Sequence, residues 1–154
     1  MLEVEFANSA AAPHDPRWEQ AVREILAEAG FTEGWVSVAI VDDATIHQLN
    51  RSYLQHDYPT DVLSFPLHRE ANRLEGEIIV SADTAAASAP GYGWSAAEEL
   101  LLYLIHGTLH LVGHDDHAPE ERRRMREAER ACLARLGVSQ PPQSLEREGT
   151  EFES

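Results

Sequence analysis

Three side chains within one short stretch are of types that bind metal ions. His106 and His110 are four residues apart, so on a helix they project from the same face, one turn apart. Gly113 follows, and glycine readily adopts the left-handed conformation that ends a helix and reverses the chain. The reversed chain can then bring Asp116 to the same ion. Two imidazoles and one carboxylate leave a fourth position of a zinc ion open for water, as in catalytic zinc sites.

Other interpretations of this stretch stay open from the residues alone. His117 is adjacent to Asp116 and is the alternative third ligand, whereas His114 lies too soon after the glycine for the chain to return. A histidine pair at helical spacing is also a common surface or core feature. Asp115 and Asp116 could instead cap the helix that follows. The glycine and the ligand beyond it favour the metal site.

The hydrophobic pattern predicts the elements that position this stretch. Alternating apolar residues predict strands at residues 2–6, 36–40 and 74–80, and a short apolar strand from Val62 to Phe65 that ends before Pro66. A polar loop is predicted from His68 to Arg73. Apolar residues at helical spacing predict further helices that begin at Asp15 or Pro16, after Asp42 or Asp43, after Ser81, after Ser95 and near Pro119.

These elements predict an α+β fold in a single domain. About four strands form one mixed sheet, helices pack over it, and the central helix carries the His-x-x-x-His pair. This helix begins at Ser95, where Ser95-Ala96-Ala97-Glu98 matches a capping box. The helix after Asp42 should carry Tyr53, and the helix after Ser81 should break at Pro90. The sequence predicts one folded domain over residues 1–138, which contains the candidate metal site, and an acidic, flexible tail over residues 139–154.

Composition limits the possible classes. The 154 residues carry a formal net charge of -15, which argues against a general nucleic-acid binder but permits a local arginine patch. Arginines crowd the last helix, where interleaved glutamates favour a solvated face over a phosphate-binding patch. Cys132 is the only cysteine, so we expect neither a disulfide nor a disulfide-linked partner, and a cytoplasmic location. The start is not a signal peptide, and no apolar run could cross a membrane.

The histidine helix resembles two families. The metzincin proteases have His-Glu-x-x-His-x-x-Gly-x-x-His, but here Gly107 stands where the general-base Glu would be and Asp116 stands in place of the third His. A peptidase would lack the group that takes a proton from the zinc water. The chain more closely resembles the bacterial YbeY family, with His-Gly-x-Leu-His-Leu-x-Gly-Tyr-Asp-His. The matching residues are His106, Gly107, Leu109, His110, Leu111, Gly113 and Asp115.

Two further segments resemble the same family. One runs from Asn50-Arg51-Ser52-Tyr53 through Asp57 to Pro59-Thr60-Asp61-Val62-Leu63-Ser64-Phe65-Pro66, and the other is Gly76-Glu77-Ile78-Ile79. Two positions depart from the family pattern. The third His falls on Asp116, whose charge weakens the metal as a Lewis acid and relaxes metal choice toward harder ions such as manganese. The family Arg after the Tyr falls on Leu54.

The resemblance implies an activity. It implies a single-strand-specific endoribonuclease that acts in small-subunit ribosomal RNA maturation and ribosome quality control, holds one zinc ion, and contacts the small subunit and its assembly factors. The segment with Thr60, Asp61 and Ser64 would line the cleft, although these residues could equally make structural hydrogen bonds. Asp61 is the candidate general base, and Arg51 could replace the family Arg in RNA binding.

Both the mechanism and the class of protein remain open. The metal could activate water for attack on phosphorus, or it could stabilise phosphate charge during attack by the ribose 2′-OH. A protein of another class is also possible, namely a non-catalytic ribosome-assembly binding protein whose metal is structural.

Overall fold

The computed structural model describes residues 1–12, 14–54 and 61–138, with Leu54 described by its backbone alone. The predicted tail at residues 139–154 and the predicted RNA contact Thr60 lie outside the described residues. The described residues form an α+β fold, which confirms the predicted fold class. The elements in chain order are β1 Leu2–Asn8, α1 Pro16–Glu28, β2 Glu33–Val41, α2 Asp43–Leu49, a π-helical turn Asn50–Leu54, β3 Val62–Glu70, β4 Arg73–Ser81, α3 Ala82–Tyr92, α4 Ala96–Leu111 and α5 Pro119–Arg135.

The four strands form one mixed sheet in the order β1-β2-β4-β3. Strands β1, β2 and β4 run parallel, and β3 lies at the edge, antiparallel to β4. Because side chains alternate along a strand, Val36, Val38 and Ile40 of β2 all point to one face, where they are fully buried under α1, α3, α4 and α5. A smaller cluster under α2 covers part of the other face. Its buried members are Val41, Ile46, Leu63 and Ile79.

Helix α4 lies at the centre of the main core. It begins with the predicted capping box, in which the Ser95 hydroxyl accepts from the Glu98 amide at 3.1 Å and the Glu98 carboxylate accepts from the Ser95 amide at 3.0 Å. All residues from Glu99 to Leu109 are buried. Sequence-distant contacts also hold the helix, since the Trp18 indole of α1 donates to the Ala97 carbonyl at 2.9 Å. The two histidines therefore lie on the most enclosed helix of the fold.

Strand β3 is longer than predicted. The predicted polar loop from His68 to Arg73 is wrong, because β3 continues past Pro66 to Glu70 and then turns tightly into β4. The register shifts between Pro66 and His68. Proline has no N–H to donate, so it is tolerated on an edge strand at such an irregularity. The extension carries His68 and Arg69 toward the C-terminal end of α4, where they line a groove with His110.

Two predicted helices differ in detail from the structure. The helix after Asp42 is α-helical only to Leu49 and continues as the π-helical turn that carries Tyr53, which is 69% exposed and meets the Phe65 ring edge-on. Helix α3 continues through Pro90 to Tyr92 and ends at Gly93, whose φ is 77°. No helix in residues 1–12, 14–54 and 61–138 has both the length and the apolar content to cross a membrane.

Gly107 allows α4 to approach the sheet closely. A Cβ placed on this residue would lie 2.9 Å from Ile78 Cγ2 of β4 and 3.3 Å from Val62 Cγ2 of β3. On the same side, the buried Ser64 hydroxyl donates to the Gly107 carbonyl at 3.3 Å. The residue between the two histidines is therefore glycine for a packing reason, since the sheet occupies the place of a side chain.

Gly107→Ala tests this close approach. Overpacking should lower the free energy of unfolding by about 1–3 kcal/mol, offset by up to about 1 kcal/mol from the higher helix propensity of alanine. Gly91→Ala is the matched control, because Gly91 also lies in a helix and a Cβ there meets nothing within 4 Å. We expect the control to stabilise the protein by up to about 1 kcal/mol. Urea unfolding measures both, and stabilisation by Gly107→Ala would contradict the proposed contact.

Candidate metal centre

The last turns of α4 bring the two histidines together. His106 and His110 project from one face of the helix, and their Nε2 atoms are 3.1 Å apart. The side chains are 0% and 7% exposed. Burial lowers the pKa of His106, so its imidazole is neutral, which is the form that binds a metal ion.

Gly113 reverses the chain as predicted. Its φ is 110°, and its amide donates to the His110 carbonyl at 3.0 Å, while the His114 amide donates to the Leu109 carbonyl at 2.9 Å. These bonds satisfy carbonyl groups at the end of α4. From β3, the Arg69 guanidinium adds a bond to the Leu111 carbonyl at 3.3 Å. The end of the helix and the chain reversal are therefore fixed from both sides.

The reversal brings Asp116 to the histidine pair. Its Oδ2 lies 3.6 Å from His106 Nε2 and 3.8 Å from His110 Nε2. The neighbouring His110 imidazole lowers the pKa of Asp116, and His106 and His117 add to this, although partial burial opposes it. Asp116 is therefore a carboxylate near neutral pH. Two imidazole nitrogens and one anionic oxygen point to a common centre.

The spacing of these three atoms fits one zinc ion. In a tetrahedral site with bonds of about 2.0–2.1 Å, neighbouring ligand atoms are about 3.3 Å apart. The observed separations of 3.1, 3.6 and 3.8 Å lie around that value. Within residues 1–12, 14–54 and 61–138, no further His, Cys, Asp or Glu joins these three side chains as a group. One position of a tetrahedral ion thus has no protein ligand among the described residues.

The alternative third ligand His117 lies elsewhere. Its side chain is 82% exposed, and its Nε2 is 3.4 Å from Asp115 Oδ1. It forms a second possible metal-binding group with Asp115 and Asp116. The only member that this group shares with the group of His106 and His110 is Asp116. The capping interpretation of the two aspartates is wrong, because α5 begins at Pro119 with Ala118 before it. Asp115 instead accepts from the Asp116 amide at 2.7 Å and so stabilises the returning turn.

A residue missed in the sequence lies directly behind His106. Glu129 of α5 is 0% exposed, and its Oε2 is 2.6 Å from His106 Nδ1. The Arg126 guanidinium lies 3.0 Å from Glu129 Oε1 and 3.2 Å from Oε2. Burial would raise the pKa of Glu129, but the hydrogen bonds and charges of His106 and Arg126 together lower it. The available signal was a glutamate on the buried stripe of α5 that contains Met125 and Cys132.

The other predicted site residues differ in their surroundings. Ser64 is buried and bonded to the Gly107 carbonyl, so its hydroxyl does not face solvent. Arg51 is exposed on the π-helical turn. Asp61 is half-buried. Burial of Tyr103 is the main cause that raises the pKa of its hydroxyl, and the charge of Asp61 adds to this, so Asp61 lies near that ring.

A groove opens beside the histidine pair. It runs between the outer part of β3 and the reversal after α4. The lining residues are Pro66, Leu67, His68, Arg69, His110, Gly113, His114, Asp115 and His117. His110 therefore belongs both to the candidate metal centre and to the groove wall, so a ligand in this groove would lie beside the candidate centre.

Fold and centre together define a small α+β protein with two helical histidines and a returning carboxylate. The family model for endoribonuclease YbeY matches residues 3–137, and the chain belongs to this family. This confirms the resemblance in the sequence motifs.

Two relatives agree with this assignment, and a solved structure has a similar fold. Endoribonuclease YbeY of Rhodopirellula baltica is 52% identical over 124 residues, which cover 79% of this chain and 64% of the relative. The chain thus spans just under two thirds of that relative's length. Endoribonuclease YbeY of Halorhodospira halophila is 39% identical over 150 residues, covering 92% of this chain and 97% of the relative. The solution structure of TM1509 from Thermotoga maritima has a similar fold, with a TM-score of 0.59, 22% identity and coverage of 99% and 100%.

Zinc affinity distinguishes the candidate third ligands. Asp116→Ala and His110→Ala should each lower zinc affinity by more than the roughly 10- to 100-fold typical of residues that only support a ligand. His117→Ala should leave it within a few-fold of wild type, because that side chain lies outside the histidine group. Competition with a chromophoric chelator measures all three. Retained affinity in Asp116→Ala with loss in His117→Ala would identify His117 as the ligand instead.

Proposed function

We propose that this protein is a zinc-dependent endoribonuclease that cleaves single-stranded RNA during small-subunit ribosomal RNA maturation and ribosome quality control. The observation that carries the proposal is the convergence of His106, His110 and Asp116 beside a groove, in a chain of the endoribonuclease YbeY family. Contact with the small ribosomal subunit and its assembly factors belongs to the same proposal. So does a cytoplasmic location, where these substrates occur.

The arrangement of ligands favours a catalytic metal over a structural one. Structural zinc sites are closed by four protein ligands, whereas catalytic sites keep a position for water or substrate. Three ligand side chains converge in the described residues, and His110 also lines the groove. When bound, zinc supplies a Lewis acid that can polarise a phosphate oxygen or activate water.

The groove wall is less acidic than the chain as a whole, which favours a phosphodiester substrate. The chain has a formal net charge of -15, yet the groove wall has one acidic residue, Asp115, beside Arg69 and four histidines. Nη1 of Arg69 donates a hydrogen bond to the Leu111 carbonyl, and Arg69 is exposed. A planar guanidinium fixed at one nitrogen can present its others to a phosphate. We propose that Arg69 supplies the phosphate contact that the family Arg would supply at Leu54.

Gly107 disfavours a peptidase. A metzincin protease needs a glutamate at this position of its motif to act as the general base. Here a Cβ at residue 107 would point at Ile78 and Val62 of the sheet, within 2.9 and 3.3 Å. Asp61 remains our proposal for a general base in RNA cleavage, and its test is the loss of activity in Asp61→Asn with unchanged zinc affinity.

Cleavage of a single-stranded RNA, with and without zinc, tests the central proposal. Wild type should cut the RNA, a chelator should abolish cutting, and zinc should restore it. His110→Ala should be inactive, whereas His47→Ala on α2 should match wild type, because it changes the same residue type on another helix. Products with a 2′,3′-cyclic phosphate indicate attack by the ribose hydroxyl, and products without it indicate attack by water.

If zinc-loaded wild type does not cut RNA, this result contradicts the proposed enzymatic activity. It favours the alternative of a ribosome-assembly binding protein with a structural metal. That alternative also predicts that His106→Ala unfolds the domain. Casein hydrolysis that requires both zinc and His110 would support a peptidase instead.

RNA affinity at several salt concentrations tests Arg69. Losing one phosphate contact should weaken binding of all single-stranded sequences alike and reduce the salt slope by about 0.7. We therefore expect this result for Arg69→Gln. Arg124→Gln is the matched control, because Arg124 is exposed on α5 and does not line the groove. Equal salt slopes for both variants would exclude Arg69 as a phosphate contact.

A further inference from the structure

Glu129 is a buried carboxylate that the proposed chemistry does not use. Its side chain is 0% exposed. Among the described residues it belongs to neither group of side chains that could bind a metal ion. Glutamate is seldom fully buried unless it is paired. Its two partners differ in exposure, since the Arg126 side chain is 16% exposed and the His106 side chain is 0% exposed.

The contact with His106 determines which ring nitrogen faces the centre. Glu129 Oε2 is 2.6 Å from Nδ1, slightly shorter than the about 2.7–2.9 Å of hydrogen bonds between N–H groups and charged oxygens. A carboxylate can only accept, so Nδ1 must carry the proton. In a neutral imidazole the lone pair is then on Nε2, which is the atom 3.1 Å from His110 Nε2 and 3.6 Å from Asp116 Oδ2.

Arg126 keeps this carboxylate charged without adding net charge to the centre. Its Nη1 is 3.0 Å from Oε1 and 3.2 Å from Oε2 of Glu129. The positive and negative charges of this pair cancel. The only uncompensated anion among the ligands is then Asp116. This matters here because a second uncompensated anion would further weaken a bound metal ion as a Lewis acid.

We propose that Glu129 is a positioning residue, which holds His106 in the Nδ1–H tautomer and at a fixed ring angle so that Nε2 can bind zinc. The inference rests on the proposed metal centre. It adds that α5, which contributes no ligand, contributes to zinc affinity through one hydrogen bond. Carboxylates that support a metal-binding histidine in this way commonly contribute about 10- to 100-fold in metal affinity.

Two substitutions separate the hydrogen bond from the charge. Glu129→Gln keeps an oxygen that can accept from Nδ1 but removes the charge, and Glu129→Met removes both at similar volume. Glu127→Gln is the matched control, because Glu127 is exposed on the same helix. Chelator competition should give zinc affinity in the order wild type, Gln and Met, with a loss of about 10- to 100-fold for Met. The control should equal wild type.

Folding stability distinguishes positioning from support of the fold. Removing one partner of a buried pair is destabilising, and Glu129→Met also leaves the buried Nδ1 of His106 without an acceptor. We therefore expect zinc-free Glu129→Met to unfold at a lower urea concentration than wild type, and Glu129→Gln, which keeps an acceptor, to lose less stability. Zinc affinity is compared under conditions in which every variant is folded. A residue that only supports the fold would lose stability without losing zinc affinity in the folded variants, and that outcome overturns the inference.

The ring tautomer provides a direct readout. Long-range proton–nitrogen correlation spectra of the zinc-free protein should show His106 protonated at Nδ1 in wild type and in Glu129→Gln. In Glu129→Met this preference should be lost. Zinc affinity within threefold of wild type in both variants would contradict the inference while leaving the metal centre intact. Absence of zinc binding by wild type would instead contradict the metal centre itself.

Discussion

The cost of placing polar groups inside an apolar helix governs this structure. Helix α4 is buried from Glu99 to Leu109, and an unpaired polar group there would be strongly unfavourable. Each polar atom of His106 therefore has a partner. Nδ1 meets Glu129, and Nε2 meets His110 and Asp116. Glu129 in turn meets Arg126, which reaches the surface. The candidate centre is therefore part of a continuous polar path that runs from Arg126 through the core to Asp116.

The same constraint explains why elements distant in sequence must cooperate. The histidines need α4 to lie on the sheet, and Gly107 makes that possible. The carboxylate needs the reversal at Gly113, and Arg69 from the β3 edge holds the end of the helix there. The supporting glutamate needs α5 to pack against α4. Ligands from one short stretch thus depend on one strand and one helix that contain no ligand.

Much of this arrangement could be predicted from local patterns. The capping box at Ser95, the four-residue histidine spacing and the glycine reversal each depend on nearby residues, so they could be derived without the fold. The extended β3 could not, because it depends on pairing with β4 and on Pro66 lying at a sheet edge. Glu129 was missed for a similar reason. Its partner lies 23 positions earlier in the chain, and only the packing of two helices brings them together.

The three candidate ligands differ in how far they lie from solvent. His106, His110 and Asp116 are 0%, 7% and 17% exposed, so the set is graded from one side to the other. A cation arriving from solvent would encounter the aspartate first and the innermost imidazole last. Departure would also begin at the aspartate, because the bond to the outermost ligand is the one that water can attack. Asp116 should therefore control the kinetics of ion exchange, whereas His106 should control how tightly the captured ion is retained.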